Sequence, residues 1–188
     1  MAGSGPTGQR NGASTGDGGL ATEARLNGPY GLALDRSGNL FFAETGDFTG
    51  ANRGYRVRKV SAAGIISTVA GSDARGFSGD GGPATQARLD TPFGVAVDTA
   101  GNLFIADHDN YRVRKVDPNG IISTVAGIGK KRYAGDGALA TATGLHGPIG
   151  LAVDAAGNLL ITGTNNRVLK VYGVAAPGLI AAQLFPSP

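Results

Sequence analysis

One stretch of this chain, Gly79 to Gly127, is present three times over, and a period of that size leaves few folds open. It reads GDGGPATQARLDTPFGVAVDTAGNLFIADHDNYRVRKVDPNGIISTVAG, and most of it recurs before and after itself. Asp17, Asp80 and Asp136 sit in a G-D-G turn, and Pro29, Pro92 and Pro148 precede an apolar run. Asp35, Asp98 and Asp154 close that run, and Asn39, Asn102 and Asn158 follow in a G-N-L step. The copies are offset by 63 and then 56 residues at every one of these positions. The extra seven residues lie between Ala43 and Tyr55 of the first copy. A fixed period of this length marks a repeat architecture, in which each unit buries its apolar face on the next.

Within the central copy, Pro92 to Asp98 is a short apolar run closed by a turn at Thr99–Asn102, whose Gly101-Asn102 pair tolerates positive φ. Leu103 to Asp107 follows, then a polar connection from His108 to Tyr111, then Arg112 to Val116, a turn at Asp117–Gly120, and Ile121 to Ala126. Four runs of this kind between Asx-Gly and Pro-Asn-Gly turns predict a four-stranded antiparallel meander, strands a to d. No segment sustains a 3.6-residue period, so the chain is expected to be all-β. Glycine supplies 33 of the 188 residues, and it falls at the repeated turn positions. Without a cysteine, the chain has neither a disulfide framework nor a thiolate metal site. No apolar run approaches the roughly 18 residues that span a bilayer, and the N-terminus lacks the basic-then-apolar order of a signal peptide.

A four-stranded sheet repeated along a chain forms blades of a β-propeller, each packed face to face on the next around an axis. Both faces of a blade are then covered, which suits the unbroken apolar runs GVAV and LFIA. The patterns G-P-x-G-x-A-x-D, G-N-L-x-x-A-D/E, R-V-R-K-V and G-I-I-S-T-V-A-G resemble the NHL repeat, from Gly16 to about Gln183. The resemblance is closest to bacterial extracellular and teneurin-like members, and it implies three four-stranded blades, half of a six-bladed ring. Blades are expected over residues 16–71, 72–127 and 128–183. Residues 1–15 are read as a crossover with the remnant of a preceding strand, since Met1-Ala2-Gly3 resembles the end of Val69-Ala70-Gly71, and residues 184–188 as a tail. In the third copy Gly163 replaces the acid seen as Glu44 and Asp107, and Leu169 replaces the arginine seen as Arg58 and Arg114. Leu179 to Gln183 matches GIISTVAG loosely, so this blade is expected to be the weakest.

Three blades leave two open apolar faces, whereas a free-standing array would carry polar caps. Three alternatives follow: a piece of a longer propeller whose other blades lie elsewhere, a homodimer closing three plus three blades, and an open monomer.

The a–b and c–d turns are uniformly tight and share one end of the propeller. The other end carries the long crossovers Gly3–Asn27, Gly71–Asp90 and Gly127–Gly147 and the insertion within Thr45–Tyr55. Loops on a rigid scaffold are where binding resides. The candidate binding residues on that face are Phe48, Arg53, Tyr55, Phe77, His108, Asp109, Tyr111, Lys130, Lys131, Arg132 and Tyr133. Against this, Lys130 to Arg132 also reads as a solvated loop tip. The G-D-G aspartates are expected to be structural turns, because each crossover offers one dependable carboxylate where a calcium loop needs several. Arg56 and Arg112 are expected to pair with Glu44 and Asp107 of the neighbouring strand.

Propeller lyases and lactonases hold an axial metal with histidines and acids. This chain has only His108 and His146, at different places in their repeats, and no nucleophile-elbow or metalloprotease motif. The expectation is therefore a non-enzymatic, cofactor-free binding module with a protein or glycan partner and no membrane insertion. The alternatives are single-stranded nucleic-acid (RNA) binding through basic and aromatic loops, and a fragment of a lyase- or lactonase-like enzyme lacking its metal ligands. An extracellular or periplasmic setting is implied by the resemblance alone.

Overall fold

A computed structural model describes residues 2–3, 14–46, 54–132, 137–173 and, for the backbone, 182–184. The described residues form three four-stranded antiparallel sheets, each a meander in chain order. The first contains β1 (Pro29–Leu34), β2 (Leu40–Thr45), β3 (Tyr55–Val60) and β4 (Ile66–Ser72). The second contains β5 (Pro92–Val97), β6 (Leu103–Asp107), β7 (Arg112–Val116) and β8 (Ile122–Ala126). The third contains β9 (Pro148–Val153), β10 (Leu159–Gly163), β11 (Val168–Val171) and β12 (Ala182–Leu184). Strand bounds in the central sheet follow the expected runs within one residue. In the third sheet the fourth strand falls at Ala182–Leu184 and pairs with β11, so it includes Leu184, a residue expected in the tail. The only helical segments among the described residues are two single 3₁₀ turns in the crossovers, Ala84–Gln86 and Ala140–Ala142.

The a–b turns explain the repeated Asp and Asn. Asp35 accepts the backbone N–H groups of Ser37 and Asn39, and Asn39 Nδ2 donates to its second oxygen at 2.7 Å. Asp98 with Asn102 and Asp154 with Asn158 repeat this arrangement. Each carboxylate satisfies donors that the tight turn strands.

Successive blades pack through apolar faces. Phe41, Ala43 and Val57 of the first blade share a core with Val95, Ile105 and Val116 of the second, and Phe104 and Val113 share one with Leu159 and Ile161 of the third. The first strands β1, β5 and β9 lie side by side and line the axis. A shallow depression on the tight-turn end is ringed by Asp35, Asp98 and Asp154. The first two crossovers are wedged against the blades they enter. Ala84, Ala87 and Leu89 join the core between the first two blades, and Ala21 and Ala24 cover Phe42 and Ile66.

The two described G-D-G aspartates, Asp17 and Asp80, hold their crossovers down. Arg58 is fully buried, and its Nη2 donates to Asp17 Oδ1 at 2.7 Å while its Nη1 donates to Glu44 Oε2 at 3.2 Å. Arg114 repeats this with Asp80 at 2.6 Å and Asp107 at 3.4 Å. These two turns are structural, as expected. The arginine is not the expected one: Arg56 and Arg112 face Glu44 and Asp107 in register but turn elsewhere. Arg56 pairs with Asp73 at 2.9 Å, and Arg112 donates to the carbonyls of Asn110 and Ile128. A bulge between Val57 and Arg58, repeated between Val113 and Arg114, sits beside the arginine that turns under the crossover. In the third blade Leu169 is buried where the arginine would be, and Gly163 stands in place of the acid. That blade replaces the ion pair by apolar packing. Asp136 lies outside the described residues.

Candidate binding face

The axis at the loop-rich end carries a continuous aromatic strip. It begins at the residue after each repeated proline, Tyr30, Phe93 and Ile149, where β1, β5 and β9 start. Tyr30 and Ile149 are exposed and Phe93 is half-buried. The Tyr30 and Phe93 rings meet edge to face with centroids 5.0 Å apart, and the Phe93 ring meets His108 in the same way at 4.9 Å. Such contacts are worth about 0.5–1.5 kcal/mol each between aromatic rings and fix their orientation.

A polar chain fixes the end of the strip. Nδ1 of His108 lies 2.9 Å from Asp109 Oδ1, and Thr91 Oγ1 donates to Asp109 Oδ2 at 2.7 Å. Thr91 holds a left-handed backbone, φ 50°. The equivalent residues in the other blades are Gly28 and Gly147, also at positive φ. A β-branched residue at positive φ is strained by about 1–3 kcal/mol. The central blade therefore accepts strain that its neighbours avoid, and the hydroxyl gained is the one that holds Asp109. Next to it Asp90 pairs with Arg75 at 3.3 Å, and burial raises its carboxyl above the ordinary range.

Of the residues singled out from sequence, His108 and Asp109 belong to this cluster. Tyr111 is half-buried and carries Lys131 above its ring, Nζ to centroid 5.2 Å, so the basic loop tip and the central b–c turn share one patch. Lys130 and Arg132 are exposed beside it. Phe77 is exposed, with the Arg112 guanidinium 3.8 Å from its ring centre and that of Arg114 at 4.8 Å. Tyr55 is corrected: it is 4% exposed and lies in the core between the first two blades, so it offers no binding surface. Its longer b–c connection lets it open β3, whereas Tyr111 closes a tight turn at φ 52°. Phe48, Arg53 and Tyr133 lie outside the described residues. Sequence reasoning missed Tyr30, Phe93 and Thr91. The available signal was the threonine standing before Pro92 where the other copies put glycine.

Among the described residues no three His, Cys, Asp or Glu side chains gather as a metal site. No helix among them is long and apolar enough to cross a membrane.

The solved structures similar to this chain show the fold. A protein from Bacteroides thetaiotaomicron aligns with a TM-score of 0.61 at 21% identity, over 84% of this chain and 35% of that one. A streptogramin B lyase aligns at 0.55 and 16% identity, over 86% and 42%. A gluconolactonase from Xanthomonas campestris aligns at 0.56 and 17% identity, over 87% and 48%. Among curated proteins, human Teneurin-1 is 31% identical over 183 residues, 88% of this chain and 6% of that protein. Teneurin-3 of Danio rerio is 32% identical over 183 residues, 90% and 6%. The chain thus spans a small fraction of the relatives it matches. The profile of the teneurin NHL domain matches residues 6–78 and 73–134. With three NHL-patterned sheets arranged as propeller blades, the chain belongs to the teneurin NHL-domain family.

Proposed function

We propose that this chain is a non-enzymatic binding module that presents its loop-rich face to a protein or glycan partner. The observation that carries the reading is the strip Tyr30–Phe93–His108, locked at one end by Thr91 and Asp109. Rigid aromatic side chains held before the partner arrives lose little entropy on binding, and they stack on sugar rings or on apolar peptide side chains alike. The patch of Tyr111 and Lys131 adds a cation beside a ring. Two histidines at unrelated repeat positions support a role other than metal-dependent lysis or lactone hydrolysis. Membership of the teneurin NHL-domain family supports an extracellular setting for this role.

The test is a screen of the purified chain on a glycan array and a displayed random-peptide library, alongside the double variant Tyr30→Ala/Phe93→Ala. A glycan or peptide that binds the wild type and binds the variant at least about tenfold more weakly supports the reading. Equal binding by both proteins, or no binding above background, overturns it. Because Lys131 stands over Tyr111, oligo-dT is titrated in parallel. Tight binding at low salt that collapses as salt rises would transfer the face to single-stranded nucleic acid.

A further inference from the structure

The second and third crossovers repeat one set of positions with different charge. In the second, Arg56 of β3 pairs with Asp73 at 2.9 Å, and Arg75 pairs with Asp90 at 3.3 Å. Two cations meet two carboxylates, and the set is neutral. In the third, counted from Gly71 and Gly127, Gly129 stands where Asp73 was and His146 where Asp90 was. The cations are kept as Arg112 and Lys131, and Lys130 and Arg132 replace Ala74 and Gly76. Among the described residues, none of these four cations makes an ion pair.

Two of the four are held in place. The Arg112 guanidinium lies 3.8 Å from the Phe77 ring centre and donates to the Asn110 and Ile128 carbonyls at 3.1 and 3.2 Å. It fills the space that a side chain on Gly129 would take. Lys131 Nζ stands 5.2 Å from the centre of the Tyr111 ring. The ring faces that meet these cations are closed to a stacking sugar or base. Asn110 Nδ2 donates to the Gly76 carbonyl at 2.7 Å, so both crossovers and the central b–c turn form one surface. The carboxylates around it are engaged already: Asp80 and Asp107 by Arg114, and Asp109 by Thr91 and His108.

We propose that this surface binds an acidic peptide segment of a protein partner, whose carboxylates take the part that Asp73 and Asp90 play one crossover earlier. Charge complementarity names the occupant: the first set of cations is answered by carboxylates carried on a peptide chain, and the second set keeps the cations without the acids. With the ring faces taken by Arg112 and Lys131, recognition here runs through charge and hydrogen bonds. The inference rests on the reading of the loop-rich face as a binding surface and adds the partner's chemistry. It needs no contact with the Tyr30–Phe93 strip.

The test is fluorescence anisotropy of a short fluorescein-labelled oligoglutamate titrated with the full 188-residue chain at low salt. Saturable binding that weakens as salt screens the charges is expected. Lys130→Glu, at an exposed position, is expected to weaken it about tenfold, and Arg36→Glu, the same charge change at the exposed tight-turn end, by less than about twofold. Arg112→Gln is expected to act in the direction of Lys130→Glu; should it fail to melt cooperatively, Lys130→Glu decides alone. No saturable binding overturns the inference, and so does equal weakening by Arg36→Glu, which signals net charge alone. A sulfated dextran or oligo-dT of matched charge that outcompetes the peptide also overturns it, transferring the surface to an acidic polysaccharide or a nucleic acid. Tyr30→Ala/Phe93→Ala is expected to bind oligoglutamate as the wild type does, and a loss there would place the peptide on the strip and overturn the inference. A strip-dependent ligand found without any oligoglutamate binding sinks this inference and leaves the proposed function standing.

Discussion

Arg114 Nη2 lies 2.6 Å from Asp80 Oδ1, and that bond fastens a crossover loop to the third strand of the blade it enters. The guanidinium is fully buried and is shared with Asp107, which receives the longer contact at 3.4 Å. Thr124 Oγ1 donates to the second oxygen of Asp80 at 2.7 Å. A buried cation that loses one partner is destabilised by about 3–5 kcal/mol, because the remaining charge stays out of water. Asp80→Ala is therefore expected to cost at least about 3 kcal/mol in urea unfolding. Asp17→Ala acts in the same direction through Arg58. A loss below about 1 kcal/mol for Asp80→Ala would show that the crossover is held by its apolar residues alone.

The third blade shows the neutral alternative, since Leu169 and Gly163 stand where the central blade has Arg114 and Asp107. Arg114→Leu alone leaves two carboxylates facing each other without a cation, and Asp107→Gly alone leaves the arginine half satisfied. The double variant copies the third blade. A double-mutant cycle is expected to give a coupling of about 1–3 kcal/mol, with the pair less damaging than the sum of its parts. Strict additivity would mean that the two groups do not interact.

The repeat was legible because its signals are local. Asp35-to-Asn39 turns, Pro-x-Gly strand starts and the apolar runs between them each specify their own backbone, so strands and blades follow from the pattern. The ion pair was misread for a non-local reason. Arg56 faces Glu44 across the ladder, but the crossover aspartate that captures Arg58 is 41 positions away. Tyr55 and Tyr111 are the same residue at the same repeat position, yet Tyr55 opens β3 and is buried in the core, whereas Tyr111 stands before β7 at φ 52° and is half-buried. The aromatic strip escaped notice because Tyr30 and Phe93 look like ordinary first residues of a strand until two adjacent blades bring them together at the axis.

Thr91 permits a three-way contrast at one repeat position. Thr91→Gly relieves a left-handed strain of about 1–3 kcal/mol while losing a hydrogen bond worth about 1 kcal/mol, so stability is expected to change by less than about 1 kcal/mol. Gly147→Thr adds the strain and also drives a Cβ to 2.6 Å from His108 Nε2. Gly28→Thr drives one to 2.8 Å from the Gly46 carbonyl oxygen. Both reverse substitutions are expected to cost more than about 2 kcal/mol, read from the midpoint of denaturant unfolding. If Thr91→Gly were as damaging as either, the threonine would be a structural necessity and its link to the binding face would fall.

The pH dependence of stability separates the buried carboxylates from the turn carboxylates. Burial pushes Asp107 from 3.8 up to about 7, the shorter Arg114 contacts being taken by Asp80. Between those two values the folded chain holds a proton that the unfolded chain has released. Stability from this group is therefore greatest below about pH 4, falls as pH rises towards about 7, and is flat above that. Asp35 and Asp154 behave oppositely, since the asparagine side-chain bonds hold their carboxyls below the ordinary value. Their contribution is present above the unfolded value and is lost as pH falls through the acid range. Melting temperatures measured from pH 3 to about pH 9 should thus peak inside the range and decline on both sides. Asp107→Asn is expected to flatten the decline on the neutral side and leave the acid limb, and Asp154→Asn to soften the acid limb alone. An unchanged neutral slope in Asp107→Asn would place Asp107 as a permanently charged partner of Arg114.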